Sequence, residues 1–417
     1  MLTLVRPTAG LLLAASLGST AHAGAFLIRD QSAAGFGMAI AGVAAGDVLS
    51  YSFWNPAVLG TVRDFQAESV ATGIFPSFDI YPSAFTNAVQ DAYGGTSTAS
   101  IDVGEWAVVP ASYVAYPIND RMTIGLSVNG AFGLSTKAPG NWAGQVYSRN
   151  SEIFSLSATP MASYKINDMI TVGAGIQFEY FKARLTQAID IVPGAPGAML
   201  KADDFGVGFT AGVQINPWQG TTFGLGYRSS IGHGLDGSLV VDGTNMFAQT
   251  DLDTPDVLSF GVRQVITDDL RLNGTVEWDH WSRLQTLPVT GSGDVPLTAL
   301  QLGYRDGWLY SVGAEYDYSD ALTLRAGLGY EVAPLTSANR DTRLPETNQV
   351  MFSAGFSYKY NDRITLDGAY LYTMGLGSGL IDIGPDDPRY VGVPFQATSD
   401  LDVSILSVGL RMKLGQP

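Results

Sequence analysis

The side chains that could perform chemistry are few in this sequence, and their spacing favours no catalytic site. Three histidines occur in 417 residues, and the two that follow residue 23, His233 and His280, each lie alone among ordinary strand or loop neighbours. Nothing marks out one serine as a nucleophile partnered with either histidine. No cysteine is present, which excludes a thiol nucleophile and thiolate metal ligands. The acidic segment 251–256, DLDTPD, lacks the glycine and the spaced glutamate of a calcium loop. The sequence therefore predicts a protein that is not an enzyme and has no metal site or cofactor.

The balance of charged and apolar side chains indicates a membrane-embedded protein. Lys and Arg number 23 against 39 Asp and Glu, so the formal net charge is −16 and nucleic acid is not an expected partner. Charged residues make up 15% of the chain and hydrophobic residues 46%. No stretch after residue 23 reaches the roughly 18 to 20 consecutive apolar residues of a membrane helix. This combination favours a transmembrane β-barrel, whose lipid-facing residues are spread along each strand by alternation.

Residues 1–23 have the features of a signal peptide. Arg6 precedes an apolar run over residues 11–17, and small residues end this segment at Ala23. We therefore predict export, with a mature chain that begins at residue 24, and we place the protein in the bacterial outer membrane.

A repeated phrase defines the elements of the mature chain. The segment 164–180, YKINDMITVGAGIQFEY, begins with a polar corner and continues as an alternating strand. Equivalent corners lie at Asp120, Asp168, Gln219, Asp269, Asp320 and Asp362. Their spacing of 42 to 51 residues suits two strands of about ten residues plus a long loop. Six short turns that join seven long-looped hairpins predict fourteen antiparallel strands.

The alternation after each corner distinguishes two faces. Ile176 and Phe178 fall on one face of their strand, whereas Gln177 and Glu179 fall on the other. We assign the apolar face to lipid and the polar face to the lumen. Because backbone amides in hydrocarbon must all be paired, such strands must close into an all-β transmembrane barrel. A soluble β-sandwich is the alternative, and it would have to bury the apolar faces of all these strands in one domain.

Residues 24–62 lack this alternation and are rich in Gly and Ala, as compact irregular packing requires. We predict that they pack inside another part of the protein and do not belong to the barrel wall, which spans residues 63–414. Asn55 and Pro56 have the chemistry of a helix start, because Asn caps free amides and Pro suits the first helical position. An ordinary turn is the alternative interpretation of this dipeptide.

Several segments resemble the FadL family of outer-membrane transporters for long-chain fatty acids and other hydrophobic compounds. The family's hatch motif, NPA, matches Asn55, Pro56 and Ala57. The resemblance continues in GNWAGQVYSRN, in TPDVLSFGV followed by VEWDHWSRLQ, and in the segment 305–362. It covers nearly the whole mature chain, and it implies a fourteen-strand barrel closed by an N-terminal hatch.

The resemblance also implies basic residues that bind the carboxylate of a fatty acid. Lys182 and Arg184 resemble the family's basic pair before the third long loop, and Arg305 resembles a second basic position. Strict alternation places Lys182 and Arg184 on the lipid face, so an inward orientation requires a bulge in their strand. Alternation along its strand places Arg325 on the lumenal face. There it can bind ligand or pair with a carboxylate such as Glu315.

Two apolar segments, residues 188–200 and 237–248, are expected in the third and fourth long loops. Exposed loops are normally polar unless they contact something apolar. In members of the FadL family these loops form a hydrophobic entry groove. Packing of the two segments on each other as a lid is the alternative.

The family's release route implies a further set of residues. That route is sideways into the membrane, through a gap where the third strand kinks beside the hatch. The third strand here reads RMTIGLSVNGAFGLST, in which Gly130 and Gly133 flank Phe132 where a kink requires backbone freedom. Passage straight down past the hatch is the alternative.

These observations predict passive uptake of hydrophobic molecules across the outer membrane, with long-chain fatty acids as the first choice. Loop-groove capture, lumenal binding and hatch-controlled release are the expected steps. We expect a monomer whose partners are the hydrophobic ligand and the surrounding outer-membrane lipid. Uptake of neutral aromatic hydrocarbons or alkanes is the alternative within transport, and an adhesive surface barrel is the alternative outside it.

Overall fold

The barrel contains fourteen membrane-crossing strands. We analysed a computed structural model that describes residues 24–93 and 98–415, so the predicted signal peptide, residues 1–23, lies outside the described residues. The strands are β1 (Phe65–Pro82), β2 (Ala107–Pro117), β3 (Met122–Asn129 and Gly133–Lys137), β4 (Asn150–Lys165), β5 (Ile170–Ala188), β6 (Gly197–Trp218), β7 (Thr221–Arg228), β8 (Val257–Val265), β9 (Leu270–Asp279), β10 (Gly307–Ser319), β11 (Leu322–Val332), β12 (Gln349–Asn361), β13 (Ile364–Gly375) and β14 (Phe395–Gly415). The number agrees with the fourteen strands predicted from the corners.

Closure of the sheet removes its edges. β1 pairs with β14 along its whole length, from Phe65 opposite Gly415 to Pro82 opposite Ala397. Each strand pairs antiparallel with its neighbours in the chain, as β6 does with β7. Every ladder amide of the wall can therefore find a partner in hydrocarbon, which confirms the predicted all-β barrel. Among the described residues, no helix is long and apolar enough to cross a membrane.

Three of the six short turns repeat one side-chain arrangement. The side chain of Asn167 accepts hydrogen bonds from the backbone N–H groups of Met169 and Ile170, both at 2.8 Å. Asn119 and Asn361 make the same pair of bonds in their own turns. Asn can form this local turn without backbone strain, so the recurring Asn-Asp corner is explained by turn chemistry.

The other end of the barrel carries the long connections, and there the structure differs from expectation. Residues 188–200 and 237–248 were expected as loops. This prediction is confirmed for most of the first segment, since residues 189–196 belong to no strand, and it is wrong for the second segment, which is a hairpin. β6 begins at Gly197, and Gly232–Val241 forms a hairpin with Thr244–Asp253 beyond the membrane-crossing strands. Asp242 and Gly243 have φ angles of 47° and 78°, as a type I′ turn requires.

Additional short elements lie in the long connections. A helix spans Ala84–Ala92 between β1 and β2, and short strands lie at Ile101–Asp102, Thr286–Thr290, Pro296–Gln301 and Ile381–Ile383. A 3-10 helix spans Trp281–Arg283. These elements cover one mouth of the barrel.

Residues 24–62 occupy the lumen and are almost entirely buried. A short α-helix spans Ala33–Phe36, and 3-10 helices span Leu49–Phe53 and Pro56–Thr61. Glycines of the barrel wall allow the close approach of this segment. A Cβ atom at Gly224 would lie 1.8 Å from the Ala44 carbonyl oxygen, and one at Gly226 would lie 1.9 Å from the Trp54 carbonyl oxygen. Part of the glycine content of the strands therefore makes room for the N-terminal segment.

Candidate functional site

An apolar cavity lies inside the barrel, between the N-terminal segment and the long connections. Its volume is about 80 Å³, and its walls come from β3 to β6, from the hairpin between β7 and β8, and from the connections that follow β9 and β11. Leucines predominate among the lining residues, for example Leu185, Leu235 and Leu252. An apolar cavity of roughly 150 Å³ holds one benzene molecule, so any ligand here must displace side chains. Apolar side chains thus line the cavity, but they also fill most of the space that a ligand would need.

Aromatic rings lie where the N-terminal segment meets the cavity. Phe26 lines the cavity, and its ring centroid lies 6.4 Å from that of Phe181 and 4.6 Å from that of Trp281. The ring of Phe132 packs edge-on against Phe26 at 6.0 Å. Such edge-to-face arrangements are favourable for aromatic pairs. Phe26 therefore links the cavity to the start of the mature chain.

Arg343 is the cation of the cavity wall. Its guanidinium donates to the Gln187 side chain at 2.6 Å and, at 3.4 Å, to the Ser151 hydroxyl and the Thr186 carbonyl. Among the described residues, no carboxylate oxygen lies within ion-pair distance of this guanidinium. Asp341 is nearby, but its carboxylate accepts from the backbone N–H groups of Arg343 and Leu344 instead.

The environment of Arg343 disfavours its charge. Burial lowers the pKa of Arg343, and the nearby Asp341 carboxylate opposes this shift. A guanidinium nevertheless remains charged, because its unperturbed pKa exceeds 12. The cavity thus holds a half-buried positive charge that a ligand carboxylate could neutralise with charge-assisted hydrogen bonds.

Lys182 and Arg184 do not reach this cavity. β5 pairs with β6 without a register shift, so the bulge that would turn them inward is absent. Phe181 and Ala183 line the cavity instead. Lys182 pairs with Glu152 at 3.1 Å, and the Nε of Arg184 lies 3.4 Å from the sulfur of Met199. The expectation of an inward basic pair is therefore corrected by the continuous register of the strand.

Arg305 and Arg325 also lie away from the cavity lining. Arg305 is exposed in the connection before β10, where its Nε donates to the Ala333 carbonyl at 3.1 Å. Arg325 is buried in the lumen, and its Nε donates to Glu315 at 3.1 Å. Of the two interpretations of Arg325, this contact supports pairing within the wall.

The NPA motif lies where the N-terminal segment meets β5 and β6. The side chain of Asn55 accepts from the Ala57 N–H at 3.0 Å, and it donates to the carbonyls of Ala44 at 2.7 Å and Val213 at 3.0 Å. Pro56 begins the 3-10 helix Pro56–Thr61. Asn55 therefore both caps a helix and ties it to the barrel wall.

The third strand is interrupted at the residues selected from the sequence. β3 stops at Asn129 and resumes at Gly133. In the part of the chain that the structure describes, the ladder between β2 and β3 ends at the pair Ala111–Asn129. The Ile28 N–H donates to the Ala131 carbonyl at 2.8 Å, and the Gly133 N–H donates to the Phe26 carbonyl at 2.9 Å. The N-terminal segment thus pairs with the interruption from inside the barrel.

A substitution at Gly130 would affect more than this interruption. A Cβ atom at Gly130 would lie 2.8 Å from the Ser155 carbonyl oxygen of β4. Gly130 is therefore required for the close packing of the broken strand on its neighbour, and a larger residue would displace backbone.

These features define a transmembrane β-barrel protein with a filled lumen and a small apolar cavity. A family model described as outer membrane protein transport protein (OMPP1/FadL/TodX) matches residues 14–414. The chain belongs to this family of transport proteins, as the sequence resemblance predicted. The outer membrane is accordingly its location.

Two relatives have similar lengths. Outer membrane protein P1 of Haemophilus influenzae is 24% identical over 401 residues, which cover 85% of this chain and 87% of that protein. A long-chain fatty acid transport protein of Escherichia coli is 23% identical over 417 residues, which cover 89% of this chain and 92% of that protein.

Solved structures share the fold. A Pseudomonas aeruginosa FadL homologue superposes with a TM-score of 0.85 at 23% identity and covers 94% of this chain and 100% of its own. A Pseudomonas putida toluene transporter, TodX, gives a TM-score of 0.68 at 14% identity over 94% of this chain and 99% of its own. At these identities the likeness establishes the architecture alone.

Proposed function

We propose that this protein is a passive uptake channel for hydrophobic carboxylates, with long-chain fatty acids as the substrate class. The observation that carries this proposal is Arg343, a half-buried cation in the wall of a mostly apolar cavity that Asp341 also lines. A fatty acid would place its chain among the leucines and its carboxylate against this guanidinium. Burial of either charge alone is costly, so each stabilises the other.

Uptake of a neutral aromatic hydrocarbon is the second candidate. Most of the cavity lining is apolar, and a related fold belongs to a toluene transporter. The charge of Arg343 would disfavour binding of such a ligand. The two candidates therefore differ in the expected effect of removing this charge.

Release to the side is the exit route that we propose. Phe26 and Leu134 both line the cavity, and both lie beside the interruption of β3. Movement of residues 26–28 away from Ala131 and Gly133 would connect the cavity to the unpaired stretch between β2 and β3. In this proposal the N-terminal segment acts as the hatch, and one chain is sufficient as a monomer.

Binding measurements on one substitution test the substrate class. Arg343→Met should weaken binding of a long-chain fatty acid in detergent by about 10- to 150-fold, the equivalent of one charged hydrogen bond of roughly 1.5–3 kcal/mol. Binding of an alkane of the same length should not change. Lys182→Met/Arg305→Met serves as the matched control and should bind both ligands like the wild type.

Other outcomes would redirect the proposal. If Arg343→Met binds the fatty acid normally and Lys182→Met/Arg305→Met does not, the carboxylate site lies at the outer surface and not in the cavity. If Arg343→Met improves binding of a neutral hydrocarbon and leaves fatty acid binding unchanged, the neutral substrate class is correct.

A further inference from the structure

The backbone nitrogen of Gly24 lies inside a buried acidic cluster. Its N–H donates to Glu346 Oε1 at 2.5 Å, and the N–H of Ala25 donates to Glu346 Oε2 at 3.0 Å. Glu346 is 2% exposed, in the connection between β11 and β12. Hydrogen bonds from backbone N–H groups to an ionised carboxylate are charge-assisted. The start of the predicted mature chain is therefore held by a carboxylate.

This cluster contains more buried negative than positive charge. Glu277, Asp279 and Glu331 surround Arg29, with nitrogen–oxygen distances of 2.5, 2.5 and 2.7 Å. Each of these carboxylates is at most 1% exposed. Glu346 adds a fourth carboxylate, and the second arginine nearby, Arg340, donates to the Glu346 backbone carbonyl at 2.6 Å. Burial and the neighbouring Glu331 raise the pKa of Glu346 well above its usual range. One further cation would balance part of this charge.

The space around Gly24, beside Glu331 and Glu346, could hold such a cation but has no room for a side chain. A Cβ atom at Gly24 would lie 2.7 Å from Glu331 Oε1 and 2.8 Å from Arg29 Nη1. The nitrogen of Gly24 is thus within a few ångströms of two carboxylates, Glu331 and Glu346. A charged group at this position must belong to the main chain.

We propose that the α-ammonium group of Gly24, created by cleavage after Ala23, is the cation that completes this buried cluster and seats the N-terminal segment in the barrel. The proposal rests on the predicted cleavage site. An amide in the uncleaved chain offers one N–H and no charge, whereas an ammonium offers three N–H donors and one positive charge. Signal peptide removal would therefore strengthen the contact with Glu346.

This arrangement couples export to closure of the lumen. Phe26 follows Gly24 by two residues and lines the apolar cavity. The Phe26 carbonyl also accepts from Gly133 N–H beside the interruption of β3. A chain that retains its leader, or that begins one residue earlier, would lack the ammonium at this position. Its first residues would then seat less firmly against Glu346, Phe132 and the cavity.

Chemical labelling of the mature amino group tests the proposal without any ligand. The protein is isolated from outer membranes in mild detergent, and mass spectrometry of its first peptide is expected to find Gly24 as the N-terminal residue. An amine-acylating reagent is then applied near neutral pH to folded and to denatured protein. We expect the Gly24 amine to react at least tenfold more slowly in the folded protein.

Substitution of Glu346 distinguishes two causes of slow labelling, an ion pair between Glu346 and the Gly24 amine and burial of that amine alone. Glu346→Gln keeps the shape of the side chain and removes its charge, so labelling of Gly24 in the folded protein should become several-fold faster. Glu152→Gln, which alters a partly exposed carboxylate paired with Lys182, is the matched control and should label like the wild type. Heat-dependent gel mobility reports whether each barrel is folded.

Three results would overturn the proposal. The first is a mature N-terminus other than Gly24. The second is equal labelling of Gly24 in folded and denatured wild-type protein, a comparison that needs no variant. The third is an unchanged labelling rate in folded Glu346→Gln.

Discussion

At the residue scale, Asp256 is an example of how one carboxylate joins several connections at the rim of the barrel. It lies just before β8 and accepts hydrogen bonds from Tyr227 Oη at 2.5 Å, His280 Nδ1 at 3.1 Å and Arg283 Nε at 2.7 Å. The Ser230 N–H donates to it at 3.0 Å. Burial raises the pKa of Asp256, but these hydrogen bonds outweigh burial and lower it to about 2.

Asp256→Asn should destabilise the folded barrel by about 1.5–3 kcal/mol at neutral pH, because it removes a charged acceptor. The pKa of Asp256 is lower in the folded than in the unfolded chain, so its charge stabilises the fold above about pH 4. That contribution is lost as the pH falls towards 2. Thermal unfolding followed by circular dichroism should therefore show a difference between variant and wild type that disappears at acidic pH.

Asp386→Asn, at an exposed position of the last long connection, is the control and should unfold like the wild type at every pH. A difference between Asp256→Asn and wild type that persists at pH 2 would contradict the assigned charge state.

At the element scale, the interruption of β3 is completed by the N-terminal segment. Leu27 and Phe132 form an isolated antiparallel bridge, flanked by the hydrogen bonds of Ile28 to Ala131 and of Gly133 to Phe26. The pair itself exchanges no backbone hydrogen bond. Cα atoms of such pairs lie about 4.5 Å apart, which is within the range of a disulfide.

A disulfide at this bridge should lock the hatch in place. The chain has no native cysteine, so Leu27→Cys/Phe132→Cys introduces the single possible intramolecular pair. Under oxidising conditions, uptake by cells that express this variant should fall to the level of cells without the protein, and a reductant should restore it. The single substitutions Leu27→Cys and Phe132→Cys are the controls, and their uptake should not respond to the reductant.

Equal uptake by the oxidised and the reduced double variant would show that residues 26–28 do not have to leave the interruption. Release past another part of the N-terminal segment would then be required.

The strands could be predicted from the sequence because their signals are local. Alternation and the Asn-Asp corners act within ten residues, and they placed Gln177 and Glu179 in the lumen, where both are at most 1% exposed. The Asp242–Gly243 turn was equally readable as a type I′ hairpin signal, but the apolar composition of residues 237–248 was interpreted as a loop.

The cavity could not be predicted in the same way. Arg343 belongs to a connection of irregular structure, and it reaches the cavity only because that connection folds over the lumen against Gln187. Such long-range placement leaves no periodic pattern in the sequence. Alternation along β5 already argued against Lys182 as a ligand-binding residue, since a continuous β5 directs its side chain outwards. Only the resemblance to the family's basic pair favoured an inward orientation of Lys182.

At the scale of the whole molecule, the even number of strands determines where the ends lie. β1 begins and β14 ends at the same rim, where Phe65 pairs with Gly415. The six short turns lie at this rim, and the hairpin around Gly243 lies at the other. Outer-membrane barrels have short periplasmic turns and longer extracellular loops. The short-turn rim is therefore expected in the periplasm.

Cysteine accessibility tests this topology. Asp362→Cys lies in a short turn and Asn245→Cys in the exposed part of the opposite hairpin. In intact cells a membrane-impermeant maleimide should label Asn245→Cys alone, and permeabilised cells should show labelling of both. Labelling of Asp362→Cys in intact cells would reverse the orientation.

Uptake by living cells tests the central claim most directly. Bacteria that lack their own fatty acid channel would express either this protein or Arg343→Met at equal, folded levels, and accumulation of a radiolabelled long-chain fatty acid and of an alkane of the same length would be compared. The account predicts that the wild type accelerates fatty acid uptake and that Arg343→Met loses most of this acceleration without a change in alkane uptake. Fatty acid uptake that is no faster than in cells without the protein would contradict it, as would equal acceleration by the wild type and Arg343→Met.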